Sequence, residues 1–297
     1  VLAATDALDD AEELQTISVS ASGASSDVSI GEIGNGTAST ALTSVTLAAS
    51  AGGTIDIGGI DASANLSTVS ITADGVNSDV TQGNEITTAG GGISAVTITA
   101  SDRANIDMTA GDLTVGAGLI GAIAISATGR ATVDLNGFAA TSSATTTAGA
   151  YSITTGTRGT IEMGTSDIST DGSLTSLTVT VGEDSTLNAT TGVITAAGTI
   201  GATTVSVAAD AATSGQINIG QAATVHTAAS INLSADAANL ADIDLIGTTA
   251  TKLTVTLDGS SAINVATDVV NFDGNADAIS YAAVTATTAL VFNASAS

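Results

Sequence analysis

A short strand pattern recurs along the chain with a step that clusters near 27 residues. Each copy alternates inward apolar and outward small residues, and a turn rich in Gly, Ala, Ser or Asp follows it. The copies begin at residues 17, 45, 69, 96, 123, 151, 177, 205, 231 and 253. Such alternation gives a β-strand one buried and one solvated face. A regular step of this length is typical of a protein whose successive units stack on one another.

Further alternating segments follow each copy. The second segment is clear at residues 28–30, 55–57, 106–108, 133–135, 161–163, 217–219, 243–245 and 263–265, and a weaker third one at 86–88, 113–115, 168–170 and 225–227. Two or three strands cannot close a core alone. Stacked coils can, because each strand then pairs with its copy about 4.8 Å away.

This pattern predicts an all-β fold, a right-handed parallel β-solenoid (β-helix) of about ten coils. We expect the solenoid to span residues 15–270, with an N-terminal cap or linker at 1–14 and a C-terminal coil or cap at 271–297. Residues 5–14 alone have a helical pattern. An array of β-sandwiches is the alternative, because short strands separated by turns also fit it.

The charge balance excludes several partners. The chain has four Lys+Arg against 29 Asp+Glu, a formal net charge of −25. Nucleic acids and anionic membrane surfaces require clustered basic residues, so neither is an expected partner. No segment approaches the roughly 20 apolar residues of a membrane-spanning helix, so we expect no membrane insertion. The chain has no Cys, which excludes disulfides and thiolate metal sites.

The middle residue of the second segment is repeatedly acidic or an amide. These residues are Asp56, Asp107, Asp134, Glu162, Asn218, Asp244 and Asn264, with Asp79 displaced in register between the first two. Stacked carboxylates repel by nearly 1 kcal/mol per pair at about 5 Å even in water. Bound Ca²⁺ would relieve the repulsion, because it takes six to eight oxygen ligands.

A second group of candidate Ca²⁺ ligands lies near the C-terminus. Asp273, Asn275 and Asp277 alternate as in a calcium loop, but the bidentate Glu of an EF-hand is missing. The chain also contains no Gly-Gly-x-Gly-x-Asp nonapeptide run. A polar turn without a metal is the alternative interpretation.

Three of the four basic residues occupy one position of the repeat. Arg103, Arg130 and Arg158 each stand four residues before an acid of the column. In an extended segment this spacing places both side chains on the same face. One interpretation is a ladder of exposed salt bridges within the chain, each contributing about 0–1 kcal/mol. The other is a docking stripe that meets the acidic face of another subunit.

Outward positions of the first strand form Ser/Thr columns. One column contains Thr46, Ser70, Thr97, Ser152, Thr178, Ser206 and Thr254, and Thr72, Thr99, Thr154, Thr180 and Thr256 stand two residues further on. Flat Thr arrays of this kind resemble those of ice-binding β-solenoids. Ala124, Ala208 and Asn232 interrupt the array. Thr also suits any exposed strand, so a purely structural role is the main expectation.

No constellation points to catalysis. The one histidine, His226, has no acid and nucleophile near it in sequence, and aromatic residues make up 2% of the chain. We therefore expect a protein that is not an enzyme and has no organic cofactor.

The composition, and stretches such as residues 176–181 (Ser-Leu-Thr-Val-Thr-Val) and 251–258, resemble prokaryotic surface-layer proteins and large secreted repeat adhesins. The resemblance implies an extracellular, cell-surface location, self-assembly and often Ca²⁺. We expect copies of the chain to associate into a layer or filament, and cell-surface polysaccharide is a possible further partner. Tyr281 and Phe292, near the C-terminus, are candidate contacts beside the three arginines. The alternative is a secreted adhesin or a passenger stalk of the autotransporter type.

Overall fold

The computed structural model describes residues 2–4, 15–33, 42–63, 65–116, 118–142, 144–189, 193–196, 198–207, 212–215, 217–219, 226–235, 240–245, 248–250, 252–258, 262–266, 271–272, 279–280 and 289–295. Within these ranges all regular elements are β-strands. The predicted helical segment at 5–14 lies outside them, so it stays a prediction.

The strands are short and follow one another closely along the chain. The first are β1 (Leu2–Ala4), β2 (Thr16–Ser22), β3 (Asp27–Ile30), β4 (Ser44–Ser50), β5 (Thr54–Ile57), β6 (Ile60–Ala62), β7 (Leu66–Asp74), β8 (Asp79–Gln82), β9 (Ile86–Thr88), β10 (Ile93–Ser101), β11 (Asn105–Asp107), β12 (Leu113–Val115), β13 (Ile120–Ala127), β14 (Thr132–Asp134), β15 (Ala139–Ser142) and β16 (Ala148–Thr155). The others are β17 (Thr160–Gly164), β18 (Asp167–Thr170), β19 (Leu174–Val181), β20 (Thr186–Ala189), β21 (Val193–Ala196), β22 (Thr199–Val207), β23 (Ala212–Gly215), β24 (Ile217–Ile219), β25 (His226–Ala235), β26 (Leu240–Leu245), β27 (Thr248–Ala250), β28 (Lys252–Asp258), β29 (Ala262–Ala266), β30 (Asn271–Phe272), β31 (Ile279–Ser280) and β32 (Ala289–Ser295).

The strands form three parallel sheets that the chain visits in turn, so the fold is a β-solenoid. The wide sheet contains the long strands in the order β2-β4-β7-β10-β13-β16-β19-β22-β25-β28-β32. The second sheet runs β1-β3-β5-β8-β11-β14-β17-β20-β23, and the third runs from β6 through β9 and β12 to β31. Only β29, β30 and β31 pair antiparallel among the described strands. The parallel ladders exclude the β-sandwich array.

About six turns stack with a repeat near 27 residues. The count of ten coils was therefore too high, although the wide sheet continues beyond these turns to β32. At the N-terminal end β1 adds a strand to the second sheet by pairing with β3.

The core is a narrow stack of aliphatic columns. On the wide sheet Leu47, Ile71 and Ile98 lie in register on successive rungs and are fully buried. Phe138 is the largest fully buried side chain in the described part of the chain. Each such side chain contributes about 1.5–3 kcal/mol by leaving water. Small and β-branched residues suit this interior because facing sheets leave little room between them.

Two parts of the predicted register were wrong. Residues 217–219, 243–245 and 263–265 belong to the third sheet, as β24, β26 and β29, and not to the second. The wide-sheet copy assigned to residue 205 is displaced by two, because Thr203 pairs with Leu177 and Val205 with Val179. Both errors have one cause. An apolar-polar-apolar triplet has the same appearance in every sheet and at either end of a long strand.

Candidate assembly surfaces

The three arginines lie in the tight turns that join the wide sheet to the second sheet. In the first of these turns the backbone amide of Ala104 donates to the carbonyl of Ser101 at 3.1 Å, and the central residues Asp102 and Arg103 both have positive φ, 51° and 68°. Arg130 and Arg158 occupy the same place, with φ of 67° and 62°. The prediction that the arginines lie in an extended segment was therefore wrong.

The left-handed conformation is a property of this corner in every coil whose corner lies within the described residues. Ser25, Gly52, Asn77 and Asp184 occupy the equivalent position and also have positive φ. Gly, Asn and Asp tolerate this conformation best, whereas a long side chain costs about 1 kcal/mol. Arg residues on three successive coils therefore carry a conformational cost that Asn or Gly would not.

The arginines do not neutralise the acidic column of their own chain. The salt bridge in the described part of the chain joins Arg158 Nε to Asp184 Oδ2 at 3.3 Å, on the next coil, and both side chains are about half exposed. Within the described residues Arg103 and Arg130 have no salt bridge. An exposed salt bridge between coils is therefore confirmed at Arg158, but the predicted pairing of the arginines with Asp107, Asp134 and Glu162 was wrong.

An open groove runs along the arginine corner. Its volume is about 800 Å³, and Arg103, Arg130, Arg158 and Asp102 line it together with Val76. Val76 is 51% exposed and is the exposed large hydrophobic residue of the described part of the chain. The groove thus combines three cationic side chains with one carboxylate, that of Asp102, and one apolar side chain, that of Val76. We call the set of Arg103, Arg130 and Arg158 the arginine stripe.

The predicted acidic residues Asp56, Asp107, Asp134 and Glu162 lie on one column of the second sheet. Asp107, Asp134 and Glu162 pair in register on consecutive rungs, and Asp56 stands two rungs before Asp107 with Thr81 between them. Asp79 is displaced by two residues, as predicted, and pairs with Thr54. We call Asp107, Asp134 and Glu162 the acidic column.

Asn218, Asp244 and Asn264 were wrongly placed in this column. They lie in the third sheet, where Asp244 of β26 is in register with Asn218 of β24, and Asn264 lies in β29. The triplet around each of them has the same pattern as a second-sheet triplet, which explains the misassignment.

The carboxylates of the acidic column accept only local hydrogen bonds or bonds from an amide. Asp107 Oδ1 accepts from the backbone amide and the hydroxyl of Thr109, at 3.0 and 2.8 Å. Asp134 Oδ1 accepts from the backbone amide of Asn136 at 3.0 Å. Glu162 accepts from the Asn188 side-chain amide at 2.7 Å. These donors are neutral, so the negative charge of the column is not balanced by a cation of the described chain.

The candidate Ca²⁺ ligands are only partly described. Asp273, Asn275 and Asp277 lie outside the described residues. Among the described residues no group of three or more Asp, Glu or His side chains is arranged to hold a metal ion. On the acidic column each coil supplies one carboxylate, so an ion there would bridge neighbouring rungs and take its remaining oxygen ligands from water. Ca²⁺ binding stays a prediction.

The outer face of the wide sheet has the opposite character. From β2 to β22 it presents three central columns in which every outward residue is Ser, Thr or Ala. We call these columns the hydroxyl face. Thr204 aligns with Thr178 and Ser206 with Thr180, so the break predicted at Ala208 does not fall in the described array. Neighbouring hydroxyls approach each other, as Ser126 Oγ does Thr99 Oγ1 at 3.3 Å.

The remaining candidate residues lie at the C-terminal end. Tyr281 is outside the described residues. Phe292 is in β32 and pairs in register with Val255. His226 begins β25 and pairs with Thr248.

Two side chains have perturbed proton affinities. Burial raises the pKa of the Tyr151 hydroxyl, which donates to the Ile120 carbonyl at 2.9 Å in the interior. Partial desolvation raises the pKa of the Asp167 carboxyl at the start of β18, and a hydrogen bond from Ser169 opposes that shift. Neither residue is near the arginine stripe.

Comparisons with protein-family models, with curated proteins and with solved structures give no match for this chain. A search of the described residues finds no helix with the length and hydropathy to span a bilayer.

Proposed function

We propose that the protein is an extracellular structural protein whose copies self-assemble into a surface layer or filament. The hydroxyl face is the observation that carries the proposal. A chain with a net charge of −25 has long-range repulsion between its copies. A face without charged residues is the part of such a surface where two copies approach at the least electrostatic cost.

The solenoid shape supports this role. Parallel strands spaced by about 4.8 Å give a rod of regular pitch, and a flat face on such a rod repeats the same chemistry on every rung. Contacts made by one coil are therefore made by its neighbours. The surface-layer resemblance of the composition supports the extracellular location, and the acidic residues give divalent cations a place to strengthen the assembly.

Electron microscopy of two matched double variants tests the proposal. Thr97→Asp with Ala124→Asp adds two carboxylates on adjacent rungs of the hydroxyl face. Thr114→Asp with Thr141→Asp adds the same charge on adjacent rungs of the third sheet. We expect ordered arrays or fibres from the parent chain and the third-sheet variant, and isolated rods from the hydroxyl-face variant. Arrays from both variants would reject the hydroxyl face as the assembly contact. Isolated rods from the parent chain would favour the function of an adhesin or stalk.

A chelator identifies the contribution of divalent cations. We expect arrays of the parent chain to disperse in EDTA and to form again with added Ca²⁺. Arrays of unchanged order in EDTA would remove Ca²⁺ from the proposal and leave self-assembly in place.

Ice binding is a second candidate, because the two predicted Ser/Thr columns continue into β22 at Thr204 and Ser206. The realignment of Thr204 and Ser206 removes one of the three predicted interruptions. Thermal hysteresis of the parent chain, compared with the Thr97→Asp and Ala124→Asp double variant, tests it. A freezing point equal to the melting point in both proteins would reject this candidate.

A further inference from the structure

The arginine stripe and the acidic column form a matched pair on one side of the rod. Each of three consecutive coils carries one guanidinium at the corner and one carboxylate on the second sheet. Both sets repeat with the same rung spacing, because the same strands set it. Within the described chain the two sets do not pair with each other. Within the described residues the three carboxylates of the column have no cationic partner, and Arg103 and Arg130 of the stripe have no acidic one.

We propose that this side of the rod docks against the same side of a second copy, with the two solenoid axes parallel and the rungs level. The proposal rests on the proposed self-assembly and names one of its contacts. Arg103, Arg130 and Arg158 of one copy would meet the acidic column of the other, and the reverse pairs would form at the same time.

Symmetry selects this arrangement. A half-turn about an axis parallel to the solenoid, running between the stripe and the column, exchanges their positions and keeps every rung at its height. Arg103 then faces Asp107 of the second copy, and Arg130 faces Asp134 of that copy. A half-turn about an axis along the strands would instead bring arginine against arginine. A two-fold contact is self-complementary, so each pair occurs twice.

The groove contributes further to the contact. Val76 lies at one end of the stripe and is half exposed, so docking removes apolar surface from water. Arg158 has donors to spare beyond its bond to Asp184, because a guanidinium has five N–H groups. It can therefore keep its intramolecular partner and also bind Glu162 of the second copy.

Charge reversal tests the pairing. One variant carries Arg103→Glu, Arg130→Glu and Arg158→Glu. The other carries Asp107→Arg, Asp134→Arg and Glu162→Arg. Each alone would face like charges across the contact, whereas a mixture would again have opposite charges on every rung. Both are made in the Thr97→Asp and Ala124→Asp background, which separates this contact from the hydroxyl face.

Analytical ultracentrifugation of the full chain provides the readout. The background chain should form a dimer, each triple variant should raise the dimer Kd at least about tenfold, and an equimolar mixture should form a heterodimer. Homodimers of unchanged Kd, or a mixture that stays monomeric, would overturn the proposal. Neutral triple variants, with Gln at the arginines or Asn, Asn and Gln at the acids, keep the test valid if a reversed variant fails to fold.

The outcomes separate this contact from the proposed function. If the parent chain still forms arrays while the arginine variants dimerise normally, self-assembly stands and this contact is rejected. If the parent chain is monomeric at every concentration, both are rejected.

Discussion

The hydroxyl face and the second sheet share one core and one strand spacing, yet their outer surfaces differ completely. Inward columns on both are aliphatic and fully buried, as Ile98 and Ile106 are. Outward columns are uncharged on the hydroxyl face and acidic on the second sheet, with the arginine stripe at the corner between them. In a solenoid the same outward position recurs on every rung. The residue type that is common at one position therefore sets the chemistry of a whole face.

The largest expected effect concerns the shared core. Ile98→Ala on the wide sheet and Ile106→Ala on the second sheet should each lower the free energy of unfolding by about 2–5 kcal/mol, because both side chains are fully buried. Urea denaturation measures the change. Thr97→Ala, on the outer side of the same strand as Ile98, is the control and should stay within about 0.5 kcal/mol of the parent. A small effect at one of the two isoleucines would mean that the two sheets do not share one core.

The next effect concerns repulsion within the acidic column. Asp134→Asn should raise the free energy of unfolding by about 1–2 kcal/mol at low salt, because Asp134 has an acid on each neighbouring rung. The Asn side-chain oxygen can still accept from Asn136, so the local hydrogen bond survives. Denaturation at low salt and in 1 M NaCl measures the difference, which should vanish when the screening length is about 3 Å.

Asp56→Asn is the matched control for this prediction. Asp56 stands on the same face, but its register neighbours are Ser29 and Thr81. The Asp56→Asn variant should have nearly the same free energy of unfolding as the parent chain, both at low salt and in 1 M NaCl. Equal stabilisation at both positions would indicate an effect of total charge and not of the column.

A smaller effect concerns the left-handed turns. Arg103→Asn and Arg130→Asn should each raise the free energy of unfolding by about 0.5–1 kcal/mol, because Asn adopts positive φ more easily. Asn77 occupies the same position in the coil before Arg103. Arg158→Asn should raise the free energy of unfolding by less, because this variant also loses the salt bridge to Asp184. Thermal or urea denaturation measures each change, and Arg→Gln controls retain the strain while removing the charge.

The smallest effect is a pH dependence from the third sheet. Burial raises the folded-state pKa of Asp167 above its unfolded value, so its charged form costs stability at neutral pH. This cost disappears as the pH falls through the folded pKa towards the ordinary value. Asp167→Asn should therefore stabilise at pH 7 and have no effect at about pH 3, below the ordinary pKa of Asp. Ser169→Ala removes the hydrogen bond that lowers the pKa of Asp167, so it should increase the change in stability between the two pH values. An effect of Asp167→Asn that is identical at both pH values would contradict the raised pKa of Asp167.

The repeat length and the inward columns of the wide sheet could be predicted from sequence, because alternation and a fixed step are direct consequences of stacked strands. The acidic column was predicted as far as Glu162. Beyond it the prediction failed at Asn218, Asp244 and Asn264, because a triplet carries no information about which sheet it joins.

The position of the arginines could not be predicted from their distance to an acid. A spacing of four residues places two side chains on one face only if the segment between the two residues is extended. Here a left-handed turn intervenes. The Asp and Gly residues before Arg103 and Arg130 were the available signal, because both favour turns. Which residues remain unpaired depends on side-chain positions across coils, and sequence spacing does not contain that information.

The stacking of coils has a mechanical consequence. Hydrogen bonds between rungs run along the rod, so tension applied at its two ends acts directly on the ladders of all three sheets. The coils are connected in series, and a coil of about 27 residues releases up to about 90 Å of chain when it detaches. A rod of this kind would lengthen in equal steps and absorb work at each one before the polypeptide itself carried the load.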